Sequence, residues 1–191
     1  MTEATSALHQ PMAAGHHRAA DLIELFDALF ARRHGVRLRG GAVEPLYEPP
    51  GPGRPGHIWF RADYFASALH EVAHWCIAGA RRRRLPDYGY WYAPDGRGAA
   101  EQRAFEQVEV APQALESLFA DAARSPFRVS LDNLHGTRDP DEAGRATVAF
   151  AAALAAERRR LLQIGLPPRA AVFRAALARR YGGGTDCAGS P

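Results

Sequence analysis

The sequence predicts an α+β fold: a helix-rich single domain whose small sheet packs on a central helix, residues 64–80. Three observations lead there. The chain has 191 residues, 47% hydrophobic and 24% charged, a balance that supports one buried core. Five stretches carry apolar residues at helical spacing, and short β-prone runs broken by Gly and Pro cluster between positions 36 and 61.

The elements follow in order. Residues 1–17, small and polar with His16 and His17, read as a flexible leader. Residues 20–33 form a helix with Leu22, Ile23, Leu25, Phe26, Leu29 and Phe30 on one stripe, ended by Gly35. Residues 36–39 and 45–47 read as short strands separated by Gly40 and Gly41, and 57–61 as another. The Pro/Gly run 49–56 between them is a surface loop. After the central helix, 86–97 is an aromatic, Gly-rich loop with a candidate strand at 90–92. Residues 101–123 are helical, with Pro112 expected to kink or split them. A strand-like run at 127–131 precedes two helices, 141–164 and 167–181. The domain is therefore expected over 18–181, with 182–191 as a flexible tail.

Composition excludes some chemistry. All 24 basic residues are arginine, so a Schiff-base lysine, a P-loop lysine and a lysine general base are ruled out. Arginine-only basic content and frequent alanine read as GC-rich coding bias. A net charge of +3 is too mild for a dedicated nucleic-acid binder. Only Cys76 and Cys187 occur, so no disulfide framework is expected. No apolar run reaches the ~18 residues of a membrane span, and the N-terminus lacks a signal-peptide core. The expectation is a cytoplasmic monomer.

The chemistry centres on HEVAH, residues 70–74. Histidines at i and i+4 lie one turn apart on one helix face, so His70 and His74 can reach one cation, with Glu71 about 100° round the helix. This is the arrangement of zinc proteases, with Glu71 as general base. Two histidines and one carboxylate also form the facial triad of non-haem Fe(II) oxygenases. On so apolar a helix these polar groups are costly to bury without a partner. The third ligand is expected from 101–123. Glu109 lies roughly 85° from the centre of the stripe Phe105, Val108, Pro112, Leu115 and Phe119, against roughly 145° for Glu106, which makes Glu109 the first choice. Tyr88, Tyr90, Trp91 and Tyr92, beside Asp87 and Asp95, read as a substrate-facing wall. Arg81, Arg82, Arg83 and Arg84 complement the helix dipole and suit an acidic partner.

The stretches YFASALHEVAHWCIAG (64–79), DYGYWYAPDGR (87–97), FEQVEVAPQAL (105–115) and PFRVSLDNL (126–134) together resemble the elongation factor P hydroxylase family. The likeness spans residues 20–181. It implies a bacterial enzyme that hydroxylates the lysine of translation elongation factor P after that lysine has received a β-lysyl group. It also implies a metalloprotease-like helix with Fe(II) held by His70, His74 and Glu109 (or Glu106), with molecular oxygen as co-substrate and Zn as the rival metal. Glu71, Tyr90 and Asp95 become candidate catalytic residues, and Arg81, Arg82, Tyr88 and Tyr92 candidate substrate-binding residues. No His-x-Asp…His pattern is present, so 2-oxoglutarate is not expected. The long Pro/Gly loop before His57, the absence of lysine and a longer tail depart from the family pattern. The competing readings are a zinc metallopeptidase and a non-enzymatic module with a structural metal that binds elongation factor P.

Overall fold

A computed structural model describes residues 17–89, 99–130 and 140–182, with side chains described outside 99–106 and 140–143. The expected leader and tail, apart from His17 and Gly182, and the candidate strand at 90–92 lie outside these residues.

Residues 19–34 form helix α1, which begins as Ala19–Phe26 and passes through a π turn, Asp27–Ala31, to Arg32–His34. The π turn presents the Asp27 carboxylate to the first strand, where it accepts from the Leu38 N–H and from Arg37 and Arg39, each at 3.0 Å. Gly35 stops the helix at φ +64°, the left-handed cap position that glycine takes without steric cost.

Three strands follow, β1 (Val36–Ala42), β2 (Leu46–Glu48) and β3 (Gly56–Arg61), in the order β1-β3-β2. β3 pairs parallel with β1 (Leu38 opposite Ile58) and antiparallel with β2 (Tyr47 opposite Ile58). Alternation puts Val36, Leu38, Tyr47, Ile58 and Phe60 on the buried face. Gly40 and Gly41, expected to separate two strands, instead lie inside β1 as an irregularity between Arg39 and Ala42. Gly40 has no room for a side chain, because a Cβ would sit 2.7 Å from the Ala62 carbonyl oxygen.

Helix α2 (Phe65–Ile77) packs on β3 and is buried over most of its surface. Helices α3 (Ala99–Ala123), α4 (Pro140–Ile164) and α5 (Pro168–Gly182) complete the fold, with α3 touching α2, α4 and α5. α3 is continuous through Pro112, so the expected split does not occur. Arg158 of α4 ties that helix to α3: it donates to Ser117 Oγ at 3.0 Å and pairs with Asp121. Residues 127–130 form no strand. The side-chain amide of Gln113 takes the place of a neighbouring strand, accepting from the Ser130 N–H at 3.0 Å and donating to its carbonyl at 2.7 Å. His17, assigned to the leader, packs against Phe65 and Tyr181, and its Nε2 lies 2.8 Å from the Ala123 carbonyl oxygen.

Trp75 of α2 is the hub of the core. Its ring meets Phe26 at 5.2 Å and Phe30 at 5.1 Å, while the Arg169 guanidinium lies 4.7 Å above it. Arg169 Nη2 also donates to the carbonyls of Trp75, Cys76 and Ala78 at 2.9–3.0 Å. One cation from α5 thus closes the open C-terminal end of α2. Charged hydrogen bonds and cation–π contact together predict that Arg169→Met costs about 2–3 kcal/mol, read from urea unfolding midpoints. An unchanged midpoint would show that this cap contributes nothing.

Candidate metal centre

Helix α2 brings His70 and His74 to one face, and that face meets the middle of α3. His70 Nε2 and His74 Nε2 lie 3.0 Å apart. Glu109, 4% exposed, places one carboxylate oxygen 3.4 Å from His70 Nε2 and the other 3.3 Å from His74 Nε2. One donor atom from each of the three residues falls within a sphere of mutual separation below 4.8 Å. With bonds of about 2.1 Å to one cation, donors stand about 3.0 Å apart on an octahedral face and about 3.4 Å apart in a tetrahedron. The observed separations span that range. Two imidazoles and a carboxylate therefore fit a divalent transition metal in both chemistry and spacing.

Glu116 supports this set from behind. It lies seven residues beyond Glu109, two turns along the same face of α3, and accepts from His70 Nδ1–H at 2.8 Å. A donating Nδ1–H leaves Nε2 as the metal-facing nitrogen, so Glu116 fixes both the tautomer and the ring orientation of His70. The signal in the sequence that identifies Glu116 is its seven-residue interval from Glu109.

The electrostatics follow from this crowding. Burial alone would lower the His70 pKa, but hydrogen bonds with Glu109 and Glu116 outweigh it and hold the imidazolium well above its ordinary range. Burial would raise Glu109, yet its bonds to His70 and His74 hold it well below the usual carboxylate range. Without metal, a proton on His70 sits between groups that would otherwise bind a cation. Glu71, beside these residues on α2, is pushed up by burial.

Tyr88 lies on the other side of His74, in a short turn Pro86–Gly89. Its ring is parallel to His74 at 6.3 Å and stacked on Tyr47 at 4.4 Å. Tyr47 is anchored in turn: its N–H donates to Asp87 at 2.8 Å and its hydroxyl to the Arg83 carbonyl at 2.8 Å. The arginine run is divided in its roles. Arg83 turns back to donate to the Ala78 carbonyl, while Arg81 and Arg82 line a cleft of about 480 Å³ with His74 and Tyr88. Tyr90, Tyr92 and Asp95 lie outside the described residues, as does the side chain of Glu106. Sequence reasoning missed Arg169 and Tyr47, whose roles come from chain segments far from the motif.

Comparison with known proteins decides the family. The family model described as elongation factor P hydroxylase matches residues 25–188. The chain belongs to the elongation factor P hydroxylase family. A relative from Haemophilus influenzae, named elongation factor P lysine hydroxylase, is 42% identical over 166 residues, covering 86% of this chain and 90% of its own length.

Two outcomes follow for the metal centre. Glu116→Gln should weaken divalent-metal binding about 10–100-fold in chelator competition, because His70 loses its orienting acceptor; unchanged affinity would remove Glu116 from the site. Metal binding should release a proton from His70 at neutral pH, detected calorimetrically in buffers of different ionisation enthalpy. Affinity should fall as pH drops through the raised His70 pKa. In the metal-free protein the His70 contribution to stability is present at low pH and lost as pH rises through that same value. Proton release of zero would contradict the charge state described here.

Proposed function

We propose that the protein hydroxylates the β-lysyl-modified lysine of translation elongation factor P. His70, His74 and Glu109 would hold Fe(II), and molecular oxygen would be the oxidant. The observation that carries this reading is the convergence of two imidazoles and a buried carboxylate at metal-binding distances in a chain of this family. The iron, when bound, would supply a redox-active Lewis acid with open coordination positions. Hydroxylation places one oxygen atom in a C–H bond; two electrons from an external reductant and two protons carry the other to water.

The chain's own groups supply the setting. Glu116 holds His70 in its ligating tautomer. Glu71, raised by burial, keeps a proton at pH values where a free glutamate is ionised, and we assign it delivery of a proton to the oxygen atom that leaves as water. Tyr88, Arg81 and Arg82 form the reactant cleft beside His74. Tyr90, Tyr92 and Asp95 are assigned to the approach of the modified lysine, whose amines suit acidic neighbours. Residues 18–181 are read as one catalytic domain built around a metalloprotease-like helix. No described helix is long and apolar enough to cross a membrane. We read the protein as a cytoplasmic monomer that acts on a protein, without direct contact to nucleic acid.

Mass spectrometry of elongation factor P, coexpressed with the wild type or His70→Ala in cells lacking their own enzyme, tests the reading. The wild type should add the mass of one oxygen atom to the β-lysylated form, and His70→Ala should not. Full retention of the hydroxylated form with His70→Ala overturns the assignment. Peptide cleavage that needs zinc and is abolished by Glu71→Gln would favour a metallopeptidase instead.

A further inference from the structure

The C-terminal end of α2 gathers more positive charge than its structural task uses. Arg169 Nη2 and Arg83 Nη1 both donate to the Ala78 carbonyl oxygen. Two guanidinium nitrogens on one acceptor stand less than about 6 Å apart, the sum of two hydrogen bonds. His34 joins them from the end of α1. Its ring meets the Trp75 ring edge-on at 5.3 Å, and the Arg169 guanidinium lies 4.7 Å from the centre of that same ring. Arg33, exposed, precedes His34 in the chain. The cluster is thus drawn from three distant segments, and it lies on the Trp75 side of α2, away from the metal face.

No acid balances it. Burial lowers the His34 pKa, and Arg169, Arg33 and Arg83 lower it further; these three are the charged groups that act on it. Among the described residues, no ion pair includes His34, Arg33, Arg83 or Arg169. Arginine keeps its proton even where burial and Arg83 push Arg169 down.

Capping of the helix accounts for part of this charge only. Arg169 alone answers the carbonyls of Trp75, Cys76 and Ala78. A helix end supplies about half a unit of negative charge, so three guanidinium groups leave roughly two and a half positive charges without a counter-charge. Donors remain as well. A guanidinium carries five N–H groups, and the Arg33 side chain has no hydrogen-bond or ion-pair partner among the described residues. His34, Arg83 and Arg169 are each half-buried, a setting in which charge-assisted hydrogen bonds are stronger than on an open surface.

The size of the surplus selects the ligand. A carboxylate brings one negative charge and leaves the cluster positive. A phosphate group brings about 1.5 to 2 near neutral pH, and its oxygens match the planar guanidinium fork. We propose that Arg33, Arg83 and Arg169, with His34 beside them, form a phosphate site at the C-terminal end of α2, filled by inorganic phosphate or by the phosphate of a small phosphomonoester. The site does not depend on the hydroxylase reading. Its occupancy stabilises the end of the helix that carries His70 and His74, so Tm rises with phosphate concentration.

Titration calorimetry on the full-length protein at fixed ionic strength tests it, with inorganic phosphate and methyl phosphate as probes and acetate as the control. NMR of the imidazole side chains follows His34 under the same conditions. At least one phosphate compound should bind saturably with Kd below about 1 mM, and acetate at least about tenfold more weakly. The His34 pKa should move up toward its ordinary value, because phosphate offsets the arginines. Arg33→Gln with Arg83→Gln should weaken binding at least about tenfold. Arg33→Gln alone, which removes no contact of the fold, should weaken it several-fold and keeps the test intact if the double variant misfolds. Arg159→Gln, an exposed position on α4, should leave binding unchanged. Both probe results uphold the site: a tighter ester assigns a phosphomonoester, and equal or tighter inorganic phosphate assigns the free ion. The proposal is overturned if neither phosphate compound binds, if acetate binds as tightly, if His34 does not respond, or if Arg33→Gln binds as the wild type does.

Discussion

Two imidazoles on a nearly all-apolar helix need a negative partner, and much of the structure is arranged around that need. His70 and His74 project from α2 into surroundings where burial would otherwise leave them without hydrogen-bond partners. Glu109 answers both, and Glu116 answers the far nitrogen of His70. Charge, hydrogen bonding and burial are then mutually dependent: removal of Glu109 leaves buried His74 without its carboxylate partner. The same dependence makes the cluster a ready cation site, since a divalent ion can replace the proton that now links the groups.

Holding α2 in place is the second requirement, because an error of an ångström in the helix pair would separate the donors. Trp75 faces the opposite way from the metal face and ties α2 to α1 and α5 through Phe26, Phe30 and Arg169. Arg169 closes the C-terminal end of α2, and Arg158 locks α3 to α4 next to Glu116. The sheet plays a supporting part. Its buried face backs α2, and β2 contributes Tyr47, on which the Tyr88 turn rests. A small mixed sheet and a helical layer thus converge on one helix pair, which is where the chemistry lies.

The parts of this arrangement that were legible in the sequence are those set by periodicity. Residues 20–33, 101–123, 141–164 and 167–181 were expected as helices and correspond to α1, α3, α4 and α5 within a few residues, because an apolar stripe fixes a helix locally. The same periodicity ranked Glu109 above Glu106, and Glu109 is the carboxylate found between the two histidines. Misreadings occurred where tertiary contacts replace local signals. Phe127, Val129 and their neighbours have strand-like composition, but the Gln113 side chain meets the backbone there, so no strand forms. Gly40 and Gly41 looked like a break, yet close approach to Ala62 and Phe60 makes them an irregularity within β1. Arg169 and Tyr47 carry no motif at all; their importance exists only once α5 and β2 are folded against α2.

X-ray absorption at the iron edge of protein loaded with Fe(II) under anaerobic conditions tests the proposed binding of one metal ion by His70, His74 and Glu109. The expected spectrum shows scattering from two imidazoles and oxygen donors without sulfur, with the two-imidazole signature reduced to one in His74→Ala. A spectrum with fewer than two imidazoles, or one unaltered by that substitution, would contradict it.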